Sequence, residues 1–330
     1  ALAASAALTT WRPGRAALAH ARIAGCALAG RAAGPGRAPA TPATARAAAP
    51  WDNLGATLFG GDVDVPPTTS KALKACRTSM DASFKQGLPR MDLEMPLGLR
   101  LGGVEGDMEP LSLRRGELPP ERVDGADRDL ARFLAKLLGQ VKDQLCFGFR
   151  TQKLAKAAVE SWKKGGNGGR IFSYSQAKAK RSAFGGGSGE DAEAFKSTVL
   201  DPRYSFVVLV GPRAKQLAAL AEVEGQLGKE KCIILANARL RARPAGGDGL
   251  RDKLAAAYSP AFHLRLVGEP GREGLVYRSL REGGLSPWVV AQRFVQATET
   301  SEEWATRELW RGSEEPSAEE VAAAMANAGR

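Results

Sequence analysis

The clearest pattern of alternating strand and helix in the sequence is FVVLVGPRAKQLAALAEVEGQLGKEKCIILAN, residues 206–237. An apolar run (206–210) is followed by a Gly-Pro break, an amphipathic segment and a second apolar run (232–236). This order predicts a strand, a turn, a helix and a strand. Because strand–helix–strand units with short links are almost always right-handed parallel crossovers, the stretch predicts a parallel sheet.

Segments of the same two kinds flank this unit. Before it we expect strands at 90–95, 145–149 and 170–175, separated by helices, and after it AFHLRLV and GLVYRSLR flank a turn-rich link. That link predicts an antiparallel hairpin. The sequence therefore predicts an α/β fold with three layers (α/β/α), a mostly parallel sheet and an antiparallel hairpin late in the chain.

The broadest apolar stripe lies in residues 127–144, which predict a helix, whereas 97–125 are rich in Gly, Pro and charge and predict a surface loop. The expected core residues are apolar and lie in the predicted strands and in this helix: Leu93, Phe133, Leu137, Val208, Leu209, Ile233 and Ile234.

Composition divides the chain into four parts. Residues 1–48 contain six arginines of the 47 basic residues and no acidic residue, which is typical of a disordered organelle transit peptide; we expect cleavage near 45–50. Residues 49–65 predict an irregular lead-in, 66–295 a single α/β domain, and 296–330 a charged helical tail.

Several function classes find little support. No apolar run reaches the roughly 18 residues of a membrane span. Cys76, Cys146 and Cys232 are widely spaced within apolar patterns, which favours buried free thiols. His263 shares a predicted strand face with Arg265, so we expect it to be exposed. One histidine in the predicted mature chain and three distant cysteines predict no metal site.

Phosphate-binding motifs are also incomplete. GQLGKEK has neither the spacing nor the hydroxyl residue of a phosphate loop, and the turn after residues 206–210 has one glycine followed by a proline without an N–H. We therefore expect Gly211 and Pro212 to start a helix. The basic clusters AKAKR (178, 180, 181) and ARLRAR (239, 241, 243) lack interleaved aromatic residues, which disfavours nucleic-acid binding.

One constellation points to a ligand site. If the strands are parallel, a set of polar or turn residues falls at their carboxyl ends, the edge at which open α/β sheets bind ligands. The set comprises Glu94, Arg150, Ser175, Gly211 and Asn237. The amide of Asn237 has two open roles, to bond a ligand or to hold the next loop's backbone, and we favour the second because Pro212 removes a donor.

Three blocks in order resemble a plastid and cyanobacterial family known as domain of unknown function nineteen-ninety-five. They are the 66–96 segment with Glu94 and Pro96, FVVLVGP through CIILANARL with Pro212 and Asn237, and GLVYRSL to SPW with Tyr277, Pro287 and Trp288. The resemblance spans about 65–290.

The resemblance implies a chloroplast protein of the stroma, peripheral to the thylakoid, because one branch of the family resembles stromal factors needed for photosystem II accumulation. It implies no catalytic residue and no cofactor. The expected function is a non-catalytic accessory factor whose partners are photosynthetic complex subunits or other assembly factors at the thylakoid surface. A small-molecule or nucleotide-binding stromal enzyme is the alternative, and an RNA-binding protein is the third hypothesis.

Overall fold

Helices alternate with strands in a computed structural model that describes residues 63–101, 118–163, 169–174, 189–241, 249–269, 272–297 and 302–328. The α-helices of these residues are α1 (Thr69–Lys85), α2 (Pro120–Leu137), α3 (Gln152–Lys163), α4 (Gly189–Leu200), α5 (Ala214–Val223), α6 (Gly249–Ala257) and α7 (Ala318–Asn327).

The strands join in one mixed sheet. They are β1 (Arg90–Glu94), β2 (Leu145–Phe149), β3 (Arg170–Ser173), β4 (Phe206–Val210), β5 (Cys232–Ala236), β6 (Ser259–Glu269), β7 (Arg272–Arg281), β8 (Gly284–Leu285), β9 (Trp288–Ala297) and β10 (Glu302–Gly312). The order is β10-β9-β7-β6-β1-β5-β4-β2-β3, with β8 paired to β7. From β6 to β3 all pairs are parallel. From β10 to β6 they are antiparallel. The predicted α/β fold is confirmed, and its antiparallel part is larger than a hairpin.

Helices cover both faces of the sheet because successive side chains of a strand point to opposite faces. Val208 and Val210 pack with α1, α2 and α3, on what we call face A. Val207 and Leu209 pack with α4, α5 and α6 on the opposite face, face B, and α7 packs on the same side near Val276 and Trp288. Strands buried on both faces explain the continuous apolar runs of the sequence.

Helix α2 differs from its prediction in both its start and its phase. It begins at Pro120, inside the segment predicted as a loop. Leu130 and Leu134 are fully buried, whereas the predicted core residues Phe133 and Leu137 are only partly buried at its flank. The other predicted core residues, in β1, β4 and β5, are buried as expected.

The charged helical tail predicted over 296–330 needs correction. Glu302–Gly312 is a strand that pairs antiparallel with β9, and only Ala318–Asn327 is helical. The strand forms because Trp304, Ala305 and Thr306 meet side chains of β9, and the Thr306 hydroxyl donates to the Val65 carbonyl at 3.0 Å. The sheet therefore extends beyond residue 295. The predictions for 1–48 and for most of 49–65 lie outside the described residues.

Candidate functional site

The carboxyl edge of the sheet has its switch point between β2 and β4. After β2 the chain moves outward to β3, and after β4 it moves the opposite way to β5. Open α/β sheets bind ligands in the crevice at such a point. Arg150 follows β2 and Gly211 follows β4, so the topology places both residues there.

The carboxylate of Asp127, on helix α2 of face A, lies at this switch point. Asp127 of α2 places its Oδ2 3.2 Å from Nη2 of Arg150, whose guanidinium also pairs with Asp124. The Asp127 side chain is only 5% exposed. Burial raises the pKa of Asp127 above its ordinary 3.8, and the hydrogen bond from Asn237 and the charge of Arg150 offset that rise only in part.

Asn237, directly after β5, makes hydrogen bonds within the protein through both the oxygen and the nitrogen of its side-chain amide. Its Oδ1 accepts a 2.9 Å hydrogen bond from the Met95 backbone N–H, and its Nδ2 donates a 2.9 Å bond to Asp127 Oδ1. Its backbone N–H donates to Leu93 O at 2.8 Å, with φ at 56°. Asparagine tolerates this left-handed conformation better than most residues. These contacts match the favoured role of Asn237, which is to hold the backbone of a neighbouring segment.

Gly211 turns the chain beside the Asp127 carboxylate. Its φ is 54°, and a Cβ at this position would lie 2.8 Å from Asp127 Oδ2. A side chain would therefore meet both backbone strain and a clash. Two residues later, the Arg213 backbone N–H donates to Gln216 Oε1 at 3.1 Å at the start of α5. The turn and the close approach of Asp127 therefore both favour glycine at position 211.

Glu94 belongs to a second group, on face B. Because side chains alternate along β1, Glu94 points away from Leu93 and Met95, which pack on face A. Its Oε1 accepts a 2.9 Å hydrogen bond from Arg239, which also donates to the Met95 carbonyl at 3.3 Å.

The structure also buries His263, which we expected to be exposed. His263 and Asp92 lie on β6 and β1, which are central strands, so their face-B side chains are 0% and 1% exposed. His263 Nε2 lies 3.0 Å from Asp92 Oδ2, without the alignment of a hydrogen bond. Nδ1 lies 3.8 Å from Glu94 Oε2, and the ring meets Trp288 edge-on at 5.6 Å.

We call Asp92, Glu94, His263 and Trp288 the buried polar cluster. Both Asp92 carboxylate oxygens, Glu94 Oε2, both His263 nitrogens and Trp288 Nε1 lack hydrogen-bond partners in the part of the chain that the structure describes. Buried polar atoms without partners are rare in folded proteins. A buried water molecule or a small polar ligand would supply the missing hydrogen bonds.

Four of the five predicted site residues lie in the described part of the chain, and they divide between the two faces. Arg150, Gly211 and Asn237 meet around Asp127, and Glu94 lies in the buried polar cluster, one residue before the Met95 N–H that Asn237 holds. Ser175 lies outside the described residues. Ligand binding by any of these residues stays a prediction.

Sequence reasoning missed Asp127, Asp92 and the burial of His263. Asp127 was missed because it stands at the start of the predicted helix, next to the segment predicted as a loop. A signal for Asp92 did exist: RMDLE falls in a strand that a parallel sheet would cover on both faces, so its charged side chains have to be buried.

Other chemistry is limited in the described residues. They hold no group of three or more His, Cys, Asp and Glu residues with the geometry of a metal site. Cys76, Cys146 and Cys232 are buried free thiols, as predicted, and burial raises the pKa of each to about 12. Arg241 of the ARLRAR cluster donates to the Ala255 carbonyl at 2.8 Å, and Arg243 is outside the described residues.

Among the described helices, none is both long and apolar enough to cross a bilayer.

Comparison with known proteins places the chain in a family. The curated proteins contain no match to the chain. The model of the family described as domain of unknown function (DUF1995) matches residues 66–323, and this confirms the resemblance stated above. Since the match covers well over half of the sequence, the chain belongs to the DUF1995 family.

Proposed function

We propose that this chain is a non-catalytic accessory factor of the chloroplast stroma that acts in the assembly or maintenance of a photosynthetic complex of the photosystem II type. One observation carries the proposal. At the switch point, where an α/β enzyme would present groups to a ligand, Arg150 and Asn237 both contact Asp127, and Asn237 also holds the segment after β1.

The location is part of the same proposal. Residues 1–48 carry arginines and no acid, and the family resemblance implies plastids. Import of the radiolabelled chain into isolated chloroplasts, followed by N-terminal sequencing, should give a product cut near 45–50. Uncut protein that stays outside the organelle would contradict this location.

The function is tested by recovery of partners. A tagged chain expressed in its own plastid should recover photosynthetic complex subunits or assembly factors from detergent-solubilised thylakoids. An untagged strain controls for background, and a tagged stromal protein of similar size controls for the tag. Recovery of nothing above these controls, from a correctly imported chain, would contradict an accessory role.

The buried polar cluster favours a second candidate, a small-molecule or nucleotide-binding stromal enzyme. Both Asp92 carboxylate oxygens, Glu94 Oε2 and both His263 nitrogens lack hydrogen-bond partners among the described residues, and a polar ligand would supply them. A ligand that binds only the folded state raises the melting temperature. A rise with a nucleotide or a small polar metabolite, lost in His263→Gln, would favour this candidate.

A further inference from the structure

The two helical layers carry opposite charge. Helices α1, α2 and α3 on face A contain eleven Lys and Arg residues and six Asp and Glu residues, a net +5. Helices α4, α5, α6 and α7 on face B contain four Lys and Arg residues and seven Asp and Glu residues, a net −3. The protein is therefore electrostatically two-sided across its sheet.

Most cations of face A are exposed. The exposed cations without an ion pair among the described residues lie on all three helices and on the turn between α2 and β2: Lys71, Lys74, Arg77, Arg132, Lys136, Lys142, Lys153 and Lys156. On α1 three of them recur every third residue, opposite the buried Ala72, Cys76 and Met80. The described residues of the same helices and turn have fewer exposed acids, namely Glu121, Asp143 and Glu160.

Face B neutralises its charges differently. Lys196 of α4 pairs with Glu193 at 2.8 Å and with Glu222 of α5 at 2.6 Å. Glu319 and Glu320 open α7, where the helix dipole favours acids. The positive field therefore extends outward mainly from face A.

We propose that the α1–α2–α3 layer docks this protein on the surface of an anionic lipid bilayer. Its cations are spread over three adjacent elements that lie on one side of a sheet, which suits a broad anionic surface. Each Lys or Arg near such a surface adds to the attraction, and the attraction fades within a Debye length. The protein then lies with its sheet parallel to the bilayer and with face B toward solvent.

The side chains of this layer favour lipid over other polyanions. Single-stranded nucleic acid is bound by aromatic stacking beside the cations. Here Phe84 and Phe133 are partly buried and Trp162 is 3% exposed, all packed against the core. Stable protein interfaces are centred on aromatic or apolar anchors, and the described part of these helices has only Val159, 37% exposed, as a large exposed apolar residue.

Vesicle binding tests the proposal, which does not depend on the proposed function. The mature chain is mixed with sedimentable vesicles of phosphatidylcholine, with or without phosphatidylglycerol. We expect binding only with phosphatidylglycerol, and its loss at about 0.5 M salt, where the Debye length is only a few ångströms. Equal binding to neutral vesicles, or no binding to either, would overturn the proposal.

Charge-reversal variants locate the surface. Lys71→Glu/Lys74→Glu/Arg77→Glu should weaken binding at least about tenfold. The matched control, Lys215→Glu/Lys229→Glu/Lys253→Glu, changes three exposed cations away from face A and should weaken it less than about twofold. Both variants must unfold at the wild-type temperature. Equal weakening by the two triples would overturn the assignment to face A.

Two further outcomes would assign the layer to another partner. Tighter binding to single-stranded RNA, lost in the α1 variant, would make the layer a nucleic-acid surface. Absent vesicle binding, combined with α1-dependent recovery of thylakoid subunits after solubilisation, would make it a protein-binding surface. The second result overturns lipid docking and leaves the accessory function standing, so the two proposals fail separately.

Discussion

The side-chain amide of Asn237 donates a 2.9 Å hydrogen bond to Asp127, a residue 110 positions earlier in the chain. The same amide accepts from the Met95 backbone, so one side chain joins the end of β5 to the end of β1 and to helix α2. These two hydrogen bonds therefore link helix α2 to the carboxyl ends of β1 and β5, so the protein itself occupies the amide at this edge of the sheet.

Replacement of Asn237 by Ala should lower the free energy of unfolding by about 1–3 kcal/mol, because the Met95 N–H and Asp127 Oδ1 would lose their partner in a buried place. Urea unfolding followed by circular dichroism measures this change. Asn237→Gly is the matched variant, since glycine accepts the 56° φ while it lacks the amide. A glycine variant as stable as the wild type would show that these hydrogen bonds contribute nothing.

Gly211→Ala should also destabilise the fold, by about 1–3 kcal/mol, because alanine is strained at φ 54° and its Cβ would meet Asp127 Oδ2 at 2.8 Å. Gly139→Ala is the control, because nothing lies within 4 Å of the added methyl group. The two variants are compared by thermal unfolding. If both melt together with the wild type, Gly211 is not required by this turn.

The carboxyl group of Asp127 should titrate above its ordinary pKa of 3.8, because burial disfavours its charged form. A raised folded-state pKa means that the native state holds the proton to a higher pH than the unfolded chain does. This group's contribution to stability is therefore full below 3.8 and falls as the pH rises through the folded-state pKa.

A carbon-13 carboxyl titration of the folded chain, assigned with Asp127→Asn, measures this pKa directly. Across the same pH window, the wild type should lose stability relative to Asp127→Asn. A folded-state pKa below 3.8 would show that Arg150 and Asn237 outweigh burial.

Leu134→Ala should cost about 2–5 kcal/mol of stability, since a fully buried leucine leaves a cavity. Leu137→Ala, one turn later on the same helix, should cost clearly less because Leu137 is only partly buried. Paired urea titrations compare the two leucines. An equal loss would mean that the core lies on the side of the helix that the sequence predicted.

The fold was predictable where local pattern and tertiary packing agree. β4, α5 and β5 could be predicted from the sequence because two apolar runs separated by Gly-Pro and an amphipathic helix leave few alternatives. The phase of α2 was harder to predict, because Leu130, Phe133, Leu134, Leu137 and Leu138 form a stripe wider than the face the sheet covers.

β10 could not be predicted because five of its eleven residues are charged, and it becomes a strand only by pairing with β9. The same limit applies to the site. Arg150, Gly211 and Asn237 could be placed at one edge from the parallel order of the strands. Their common partner, Asp127, required knowledge of where α2 begins. The burial of His263 follows from the central position of β6 in the sheet, where its neighbours Asp92 and Trp288 come from other strands.

We propose that the protein works without catalytic chemistry, and complementation of a null mutant is the sharpest test of this proposal. The complementing chain carries Asp92→Asn and His263→Gln, near-isosteric changes that remove the acid–base groups of the buried polar cluster. Photosystem II level is measured in plants or cells where this chain accumulates as the wild type does. We predict full restoration. If the variant is imported, folded and equally abundant, yet leaves photosystem II at the null level, then the acid–base groups of the buried polar cluster are needed for function and the non-catalytic role is wrong.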